Sequence, residues 1–271
     1  MDFLQFCQSH GVLLDQYPQI GRWVRVKTAD KPGHRNGAVK WMGDAGFVQN
    51  WATMEQPALW RGESTQASLT RMREVNREAQ RQSELQARRA AAKASKLLSE
   101  CELAPHPYFA AKGFPELLVN VWEGGVAVVP MRRGSKIVGC QMIDANGGKK
   151  FLFGQRSGGA EFVLGQKGRH IVCEGYATAL SAQTVLRALK VPYVLHVTFS
   201  AGNMKKIAQA LPGGIVLADN DASGTGERIA RDIGWPYWMS DKVGEDFNDA
   251  HQRRGTFSLS MQLGGILRKR A

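Results

Sequence analysis

Paired cysteines, long apolar runs and an acidic excess are all missing from this 271-residue chain, and each absence removes a class of function. The four cysteines, Cys7, Cys101, Cys140 and Cys173, stand singly, with no CxxC pair to assemble a zinc ribbon or a redox dithiol. Cys7 and His10 have ligand-like spacing, but no second pair answers them. Structural thiols in a reducing compartment are therefore expected, and no zinc. No stretch approaches the roughly 20 consecutive apolar residues of a membrane span. The start, MDFLQFCQSH, lacks the basic and apolar stretches of a secretory leader. A soluble cytoplasmic protein with no membrane partner is the expectation. The GxxxxGK[ST] phosphate loop of nucleotide-driven motors is also absent.

What is present is positive charge. Lys and Arg number 36 against 24 Asp and Glu, a formal charge of +12. That balance suits a polyanionic partner, nucleic acid above all, or serves only solubility; it says nothing about fold. At 43% hydrophobic, the chain can bury one sizeable core, or one core with a small appended module.

Composition divides the chain into four stretches. Residues 1–62 alternate in short segments around a KPGHRNG turn and read as a small β-rich module. Arg22, Trp23, Arg25, Lys27 and Trp41 are its candidates for gripping a template strand, with Lys31, Arg35, Lys40 and Trp51 interleaved; the alternative is that the tryptophans are core. Residues 63–104 contain no Gly or Pro and predict a helical linker. Leu69, Met72, Val75 and Ala79 form one narrow docking stripe, and Arg71, Arg73, Arg77, Arg81, Arg88, Arg89, Lys93 and Lys96 give it a solvated or nucleic-acid-facing charge. Residues 105–168 carry the short runs GVAVVPM, KIVGCQMI, KKFLF and EFVLG between Gly-rich turns, a small antiparallel sheet. Residues 169–271 alternate buried-strand runs with helices, HIVCEG, YATALSAQTVLRAL, PYVLHVTF, NMKKIAQAL, GIVLADND and SGTGERIARDIG, which predicts α/β architecture with a parallel sheet.

Ligands of open α/β sheets sit beyond the carboxyl ends of the strands. Glu174 directly follows HIVC, and Asp219 and Asp221 directly follow IVLA, so two strand ends deliver three carboxylates to one rim. Gly224 and Gly226 would leave the backbone after them open to a phosphate. A further cluster, Asp246, Asn248 and Asp249 in GEDFNDAH, is placed to complete a second metal position or orient water. Close carboxylates repel one another unless a cation intervenes, and a hard, oxygen-rich site favours magnesium or manganese. A DxD at a strand end also serves as a turn or a helix cap. The loop Ser200, Ala201, Gly202 and Asn203 follows the second strand and is read as a source of backbone donors for phosphate.

The strings EGYATA (174–179), ADND (218–221) and the later DFND resemble the TOPRIM domain of phage and conjugative-plasmid DNA primases. Upstream, HPYFAAKGF, VVPMRRGSKIVGCQMID and GGKKFLFGQRSGG resemble the segment that precedes TOPRIM in that group and, more distantly, in bacterial replicative primases. GRWVRVKTADKPGHRNGAVKWM is similar to an N-terminal module of the phage and plasmid members. The resemblance implies a TOPRIM parallel sheet with helices on both faces, behind the antiparallel subdomain, the helical linker and the N-terminal module.

It further implies Glu174 as metal ligand or general acid and base, Asp219 and Asp221 as a metal-binding pair, and Asp246 as a further acidic position. Lys150 would lie beside the nucleotide, with Lys149 and Arg156 as neighbours. The implied activity is template-directed primer synthesis from nucleoside triphosphates on single-stranded DNA. The zinc ribbon and fused helicase of larger relatives have no counterpart in the sequence, which implies a separately encoded replicative helicase as partner. Two alternatives use the same residues: a TOPRIM nuclease or nicking enzyme, and a non-catalytic single-strand-binding replication factor. For a topoisomerase, Tyr176 is a poor nucleophile because it belongs to the EGYATA pattern itself.

Overall fold

The computed structural model describes residues 1–62 and 66–268, with the side chains of 66–69, 71 and 72 outside the description, so the expected contacts of Leu69, Arg71 and Met72 lie outside the described residues. The fold is mixed α/β, with three five-stranded sheets in two compact units, Met1–Leu85 and Gln86–Ala271.

In the first unit a short helix α1 (Phe3–Ser9) precedes β1 (Val12–Leu13), β2 (Trp23–Thr28), β3 (Gly37–Trp41), β4 (Ala45–Asn50) and β5 (Ala58–Arg61), an antiparallel meander in sequence order. The Asp2 side chain accepts from the Gln5 N–H at 2.8 Å and Gln5 reciprocates to the Asp2 N–H, a capping box that starts α1. Period-two alternation puts Val24, Val26, Val39 and Val48 on one face, where Phe3 and Cys7 of α1 cover them. Gly46 is fixed by that packing, since a Cβ there would meet the Phe3 ring at 2.1 Å.

The expected linker is one helix, α2 (Gln66–Ser99), built from good helix formers without Gly or Pro. The boundary between the units falls inside it, at Leu85/Gln86, rather than at its ends. The reason is apolar: Ala90, Ala94 and Leu97 pack with Val128 and Cys140 of the second sheet and with Leu152 just after its last strand, so the later part of the helix is a core element.

That second sheet is antiparallel, β6 (Glu102–Ala104), β7 (Val119–Trp122), β8 (Val126–Arg133), β9 (Lys136–Ile143) and β10 (Lys149–Phe151), with the short helix α3 (Pro107–Ala111) between its first two strands. One face meets α2; the other contributes Ala127, Val129, Met131 and Ile143 to the main core.

The third sheet has the order β11, β13, β12, β14, β15, from β11 (Phe162–Leu164), β12 (Arg169–Cys173), β13 (Tyr193–Val197), β14 (Ile215–Ala218) and β15 (Tyr237–Met239). The last four are parallel, and β11 is an antiparallel edge on β13. The segment EFVLG, assigned from sequence to the small antiparallel sheet, is that edge strand; a three-residue strand carries no mark of which sheet it joins. Helices α4 (Tyr176–Ala188) and α7 (Phe247–Arg268) cover the face of Ile171, Leu195 and Leu217. Helices α5 (Ala201–Ala208) and α6 (Thr225–Ile233) cover Val172, Val216 and Ala218 on the other. Burial on both faces explains the continuous apolar strand runs. α7 is broken at Gly255, where φ 77 and ψ 166 depart from helical values. Among the described residues no helix is long and apolar enough to cross a membrane.

Candidate active site

Glu174 follows β12 and Asp219 follows β14, and these two strands are hydrogen-bonded neighbours with Cys173 opposite Leu217. The central strands thus end side by side with their carboxylates at one rim. Beside them α5 and α6 begin, and a cleft of about 420 Å³ opens between, lined by Glu174, Asp219, Asp221, Ala201, Thr225 and Gly226 among others.

The three carboxylates differ in state. Burial raises the pKa of Glu174; Lys149 and the Ala201 backbone N–H, at the start of α5, oppose that rise, while Asp221 adds to it. Asp219 is pushed up to about 7, first by burial and then by the negative charges of Asp246 and Glu174, with Lys149 opposing. Its Oδ1 is buried with no hydrogen-bond partner. An orphaned, desolvated oxygen among like charges fits a bound cation, and an all-oxygen donor set suits magnesium or manganese over zinc. No three Asp, Glu, His or Cys side chains among the described residues converge to hold a metal by themselves. Any ion here therefore relies on one or two carboxylates, with water and substrate oxygens for the rest.

Asp221 is set differently. Its Oδ1 accepts from the Ser223 N–H (2.9 Å) and the Thr225 N–H (3.2 Å), its Oδ2 accepts from the Gly226 N–H (2.8 Å), and the Ser223 hydroxyl also donates to it. These donors hold its pKa down to about 2, the Ser223 hydroxyl most of all. The side chain is the anion at the α6 N-terminus, the capping role that a DxD at a strand end also permits. The role of the glycines changes with it: the Gly226 N–H is engaged by Asp221, and a Cβ at Gly226 would meet the Asp219 carbonyl oxygen at 2.1 Å. Gly226 is there for close packing. Gly224 supplies a left-handed turn (φ 67) into the helix.

Asp246 joins the rim from the start of α7. Its Oδ2 accepts from the Thr178 hydroxyl at 3.1 Å and its Oδ1 from the Asp249 N–H at 2.8 Å. Thr178, inside EGYATA, thereby gains a positioning role that no sequence signal assigned. The Asn248 and Asp249 side chains are engaged by other partners. Asn248 is fully buried, donating to the Lys112 carbonyl and Ser181 Oγ, both at 2.9 Å, and Asp249 pairs with Lys112 Nζ at 2.8 Å. Both tie α7 to its neighbours, which corrects the expectation of a second metal position from them.

On the basic side the order of neighbours is also revised. Lys149 lies over the Tyr108 ring, 5.7 Å from its centroid, and acts on both Glu174 and Asp219. Lys150, one residue on, pairs with Met142, whose face is the one that packs on α2. Strand alternation turns Lys150 away from the carboxylates. Phe151 shares the Lys149 side of the strand and is exposed. Arg156 is exposed in the following loop, where its carbonyl accepts from Arg133.

In the loop after β13, Ser200 caps α5, its Oγ accepting from the Asn203 N–H at 3.3 Å. A Cβ at Gly202 would meet nothing within 4 Å, so this position is open. Asn203 is buried: it donates to the Ala160 and Thr198 carbonyls, both at 2.7 Å, and accepts from the Gly159 N–H. Its side chain is a bracket between loops, with no donor left for a phosphate. Phe199, just before the cap, holds φ 66, a costly conformation for an aromatic residue and one placed at this rim.

Tyr176 packs edge-on against Phe109 and Phe162, and burial pushes its phenol up to about 12. It is a core residue. Cys7 is likewise core, its thiol pushed up to about 12 by burial.

In the first unit Trp41 lies in the core, stacked on Phe3 with centroids 4.9 Å apart and packed beside Trp60. It is removed from the template candidates, because Trp41 and Trp23 sit on opposite faces of the sheet. Trp23, Arg25 and Lys27 alternate outward along β2, and Arg22 is exposed just before it.

Comparison with solved structures finds bacteriophage T7 primase. The primase domains of two gp4 subunits, in an assembly with the T7 lagging-strand DNA polymerase, an RNA/DNA hybrid and dTTP, are 18% identical, with a TM-score of 0.41 over 54% of this chain and 81% of that one. The primase fragment of the T7 primase-helicase protein is 20% identical, with a TM-score of 0.41 over 54% and 66% of the two chains. No family model and no curated protein sequence matches.

Proposed function

We propose that the chain is a DNA primase, a nucleotidyltransferase that joins nucleoside triphosphates into short oligonucleotides on a single-stranded DNA template with magnesium or manganese. The observation that carries this reading is Asp219: a strand-end carboxylate with one orphaned buried oxygen, raised to about 7 beside Asp246 and Glu174, and faced by Lys149. The EGYATA and ADND motifs that deliver these residues support it.

In this reading Asp219 would hold the ion, with Asp246 or Glu174 as a second ligand, and Asp221 shapes the cleft wall by fixing the α6 N-terminus. A divalent ion bound there supplies neutralisation of triphosphate charge. Glu174, less acidic than an ordinary glutamate, takes the proton from the attacking 3′-hydroxyl, whose oxygen bonds to the α-phosphorus as pyrophosphate leaves. Lys149 steadies phosphate charge from the other wall. Thr178 keeps Asp246 in place, and the Ala201 N–H does the same for Glu174.

The test is incorporation of labelled nucleotides on a mixed-sequence single-stranded template with magnesium. Product is expected from the wild type, with a loss of more than about 100-fold in Asp219→Asn and in Glu174→Gln. Undiminished synthesis in both variants overturns the reading. Plasmid nicking without nucleotides would instead mark a nuclease, and salt-dependent binding without any metal-dependent activity would mark an accessory factor.

A further inference from the structure

The first unit leaves one face of its sheet partly exposed among the described residues. Across β2, β3, β4 and β5 the register sets Trp23, Lys40, Phe47 and Leu59 in one row, opposite in face to the valine core. Trp23 is 46% exposed and Leu59 42%, and the Trp23 and Phe47 rings lie 6.1 Å apart. The next row begins with Arg25, whose guanidinium sits 4.0 Å from the centroid of the Trp51 ring, itself 47% exposed. Arg25 also donates to the Arg35 carbonyl and forms one wall of an open cleft of about 670 Å³ that Lys31, His34, Arg35 and Asn36 complete. Lys27 extends the charge along β2.

Half-exposed tryptophans gathered on one sheet face leave apolar ring area available to a partner. Among the described residues Arg25, Lys27, Arg35 and Lys40 form no salt bridge; Asp30, the acid of the adjoining turn, accepts from the Asn50 amide at 3.0 Å and interacts electrostatically with Lys31 alone among these cations. Exposed ring faces alternating with such cations recognise a chain that offers flat bases and phosphates together. A duplex hides its bases, and a protein partner would need acids and apolar groups in strict alternation.

The geometry points to the Trp23/Arg25/Trp51 face of the N-terminal sheet as a binding site for single-stranded nucleic acid, with bases stacked on Trp23 and Trp51 and phosphates on Lys27, Lys40 and the Lys31/Arg35 cleft. Trp51 is 47% exposed with Arg25 against its ring, so a base stacked there would also meet the guanidinium. The inference rests on the proposed function for the strand's identity as template, and on this face alone for its binding.

The experiment uses the full chain, with fluorescein-labelled oligo(dT) and, separately, the same strand in duplex form. Single-strand binding is expected to quench tryptophan fluorescence, to weaken about tenfold in Trp23→Ala and in Trp51→Ala, and to weaken roughly 100-fold in the double variant. Trp23→Phe and Trp51→Phe, which keep a stacking ring, are expected to stay within a few-fold of wild type. Equal affinity for duplex, or wild-type affinity in a double alanine variant that melts like the wild type, overturns the inference. Asp219→Asn separates the two readings: it should bind oligo(dT) normally. Failed synthesis by the wild-type chain, with intact tryptophan-dependent binding, sinks the catalytic proposal and leaves this one standing.

Discussion

The carboxylate rim of the second unit and the basic face of the first carry opposite charge by opposite physical means. At the rim, charge is scarce, desolvated and mutually repelling, so Asp219 sits near neutrality and is sensitive to pH and to cations. On the N-terminal face charge is plentiful and exposed, and the side chains that hold it are screened by solvent. The difference teaches where energy is stored. A parallel sheet covered by helices on both faces concentrates its polar ends at one edge and can desolvate a carboxylate there. A sheet covered on one face stores nothing at its open side, and what it binds is governed by area, stacking and salt.

The largest test of this contrast is a split in one variant: Asp219→Asn should lose synthesis by more than about 100-fold while leaving oligonucleotide affinity unchanged. If binding falls with it, the two regions are not separable. Next is salt. Raising it from roughly 50 to 200 mM should weaken oligonucleotide binding by roughly 50–130-fold if four or five of the face's cations touch phosphate, as filter binding or anisotropy would read.

The third effect concerns stability. Asp219 has a raised pKa in the fold, so its penalty is absent below the ordinary value of 3.8, grows as pH rises toward 7, and is complete above it. Asp219→Asn should therefore melt higher than wild type at pH 8 without divalent ions, by on the order of 1 kcal/mol or roughly 2–4 °C, and level with it near pH 4. A gain that persists at pH 4 would remove electrostatics as its cause. Smallest and opposite in sign is Asp221→Ala, expected to lose about 0.5–2 kcal/mol as a lost cap. With a pKa of about 2, the Asp221 contribution is present above 3.8 and fades as pH falls toward 2, so an undiminished melting difference at pH 2 contradicts the cap.

Much of the candidate site is legible along the chain. A carboxylate directly after an apolar strand run must lie at the strand's carboxyl end, so HIVCEG and GIVLADND place Glu174 and Asp219 on one rim. Local pattern does not divide Asp219 from Asp221, because the difference is where the α6 N–H groups point. Nor does it separate Lys149 from Lys150, which depends on which face of β10 meets which neighbour. Asn203 reads along the chain as a polar loop residue and is a buried bracket between segments far apart in sequence. The tryptophans of the first unit are equally undecided locally: Trp23 and Trp41 lie at the start of β2 and the end of β3, and only the register assigns one to solvent and the other to Phe3.

By itself, then, the sequence determined the kind of architecture in each stretch, the helical nature of 66–99, the strand ends that bear acids and the excess of cations in the first module. Those follow from periodicity and composition, which act over a few residues. The tertiary structure alone decided which carboxylate is desolvated and which is satisfied, that Thr178 holds Asp246, where α2 changes from one unit to the other, and which face of the N-terminal sheet is left open. Each of these is set by burial and by partners dozens of residues away, and dielectric environment and hydrogen-bond satisfaction do not exist until the chain has closed on itself.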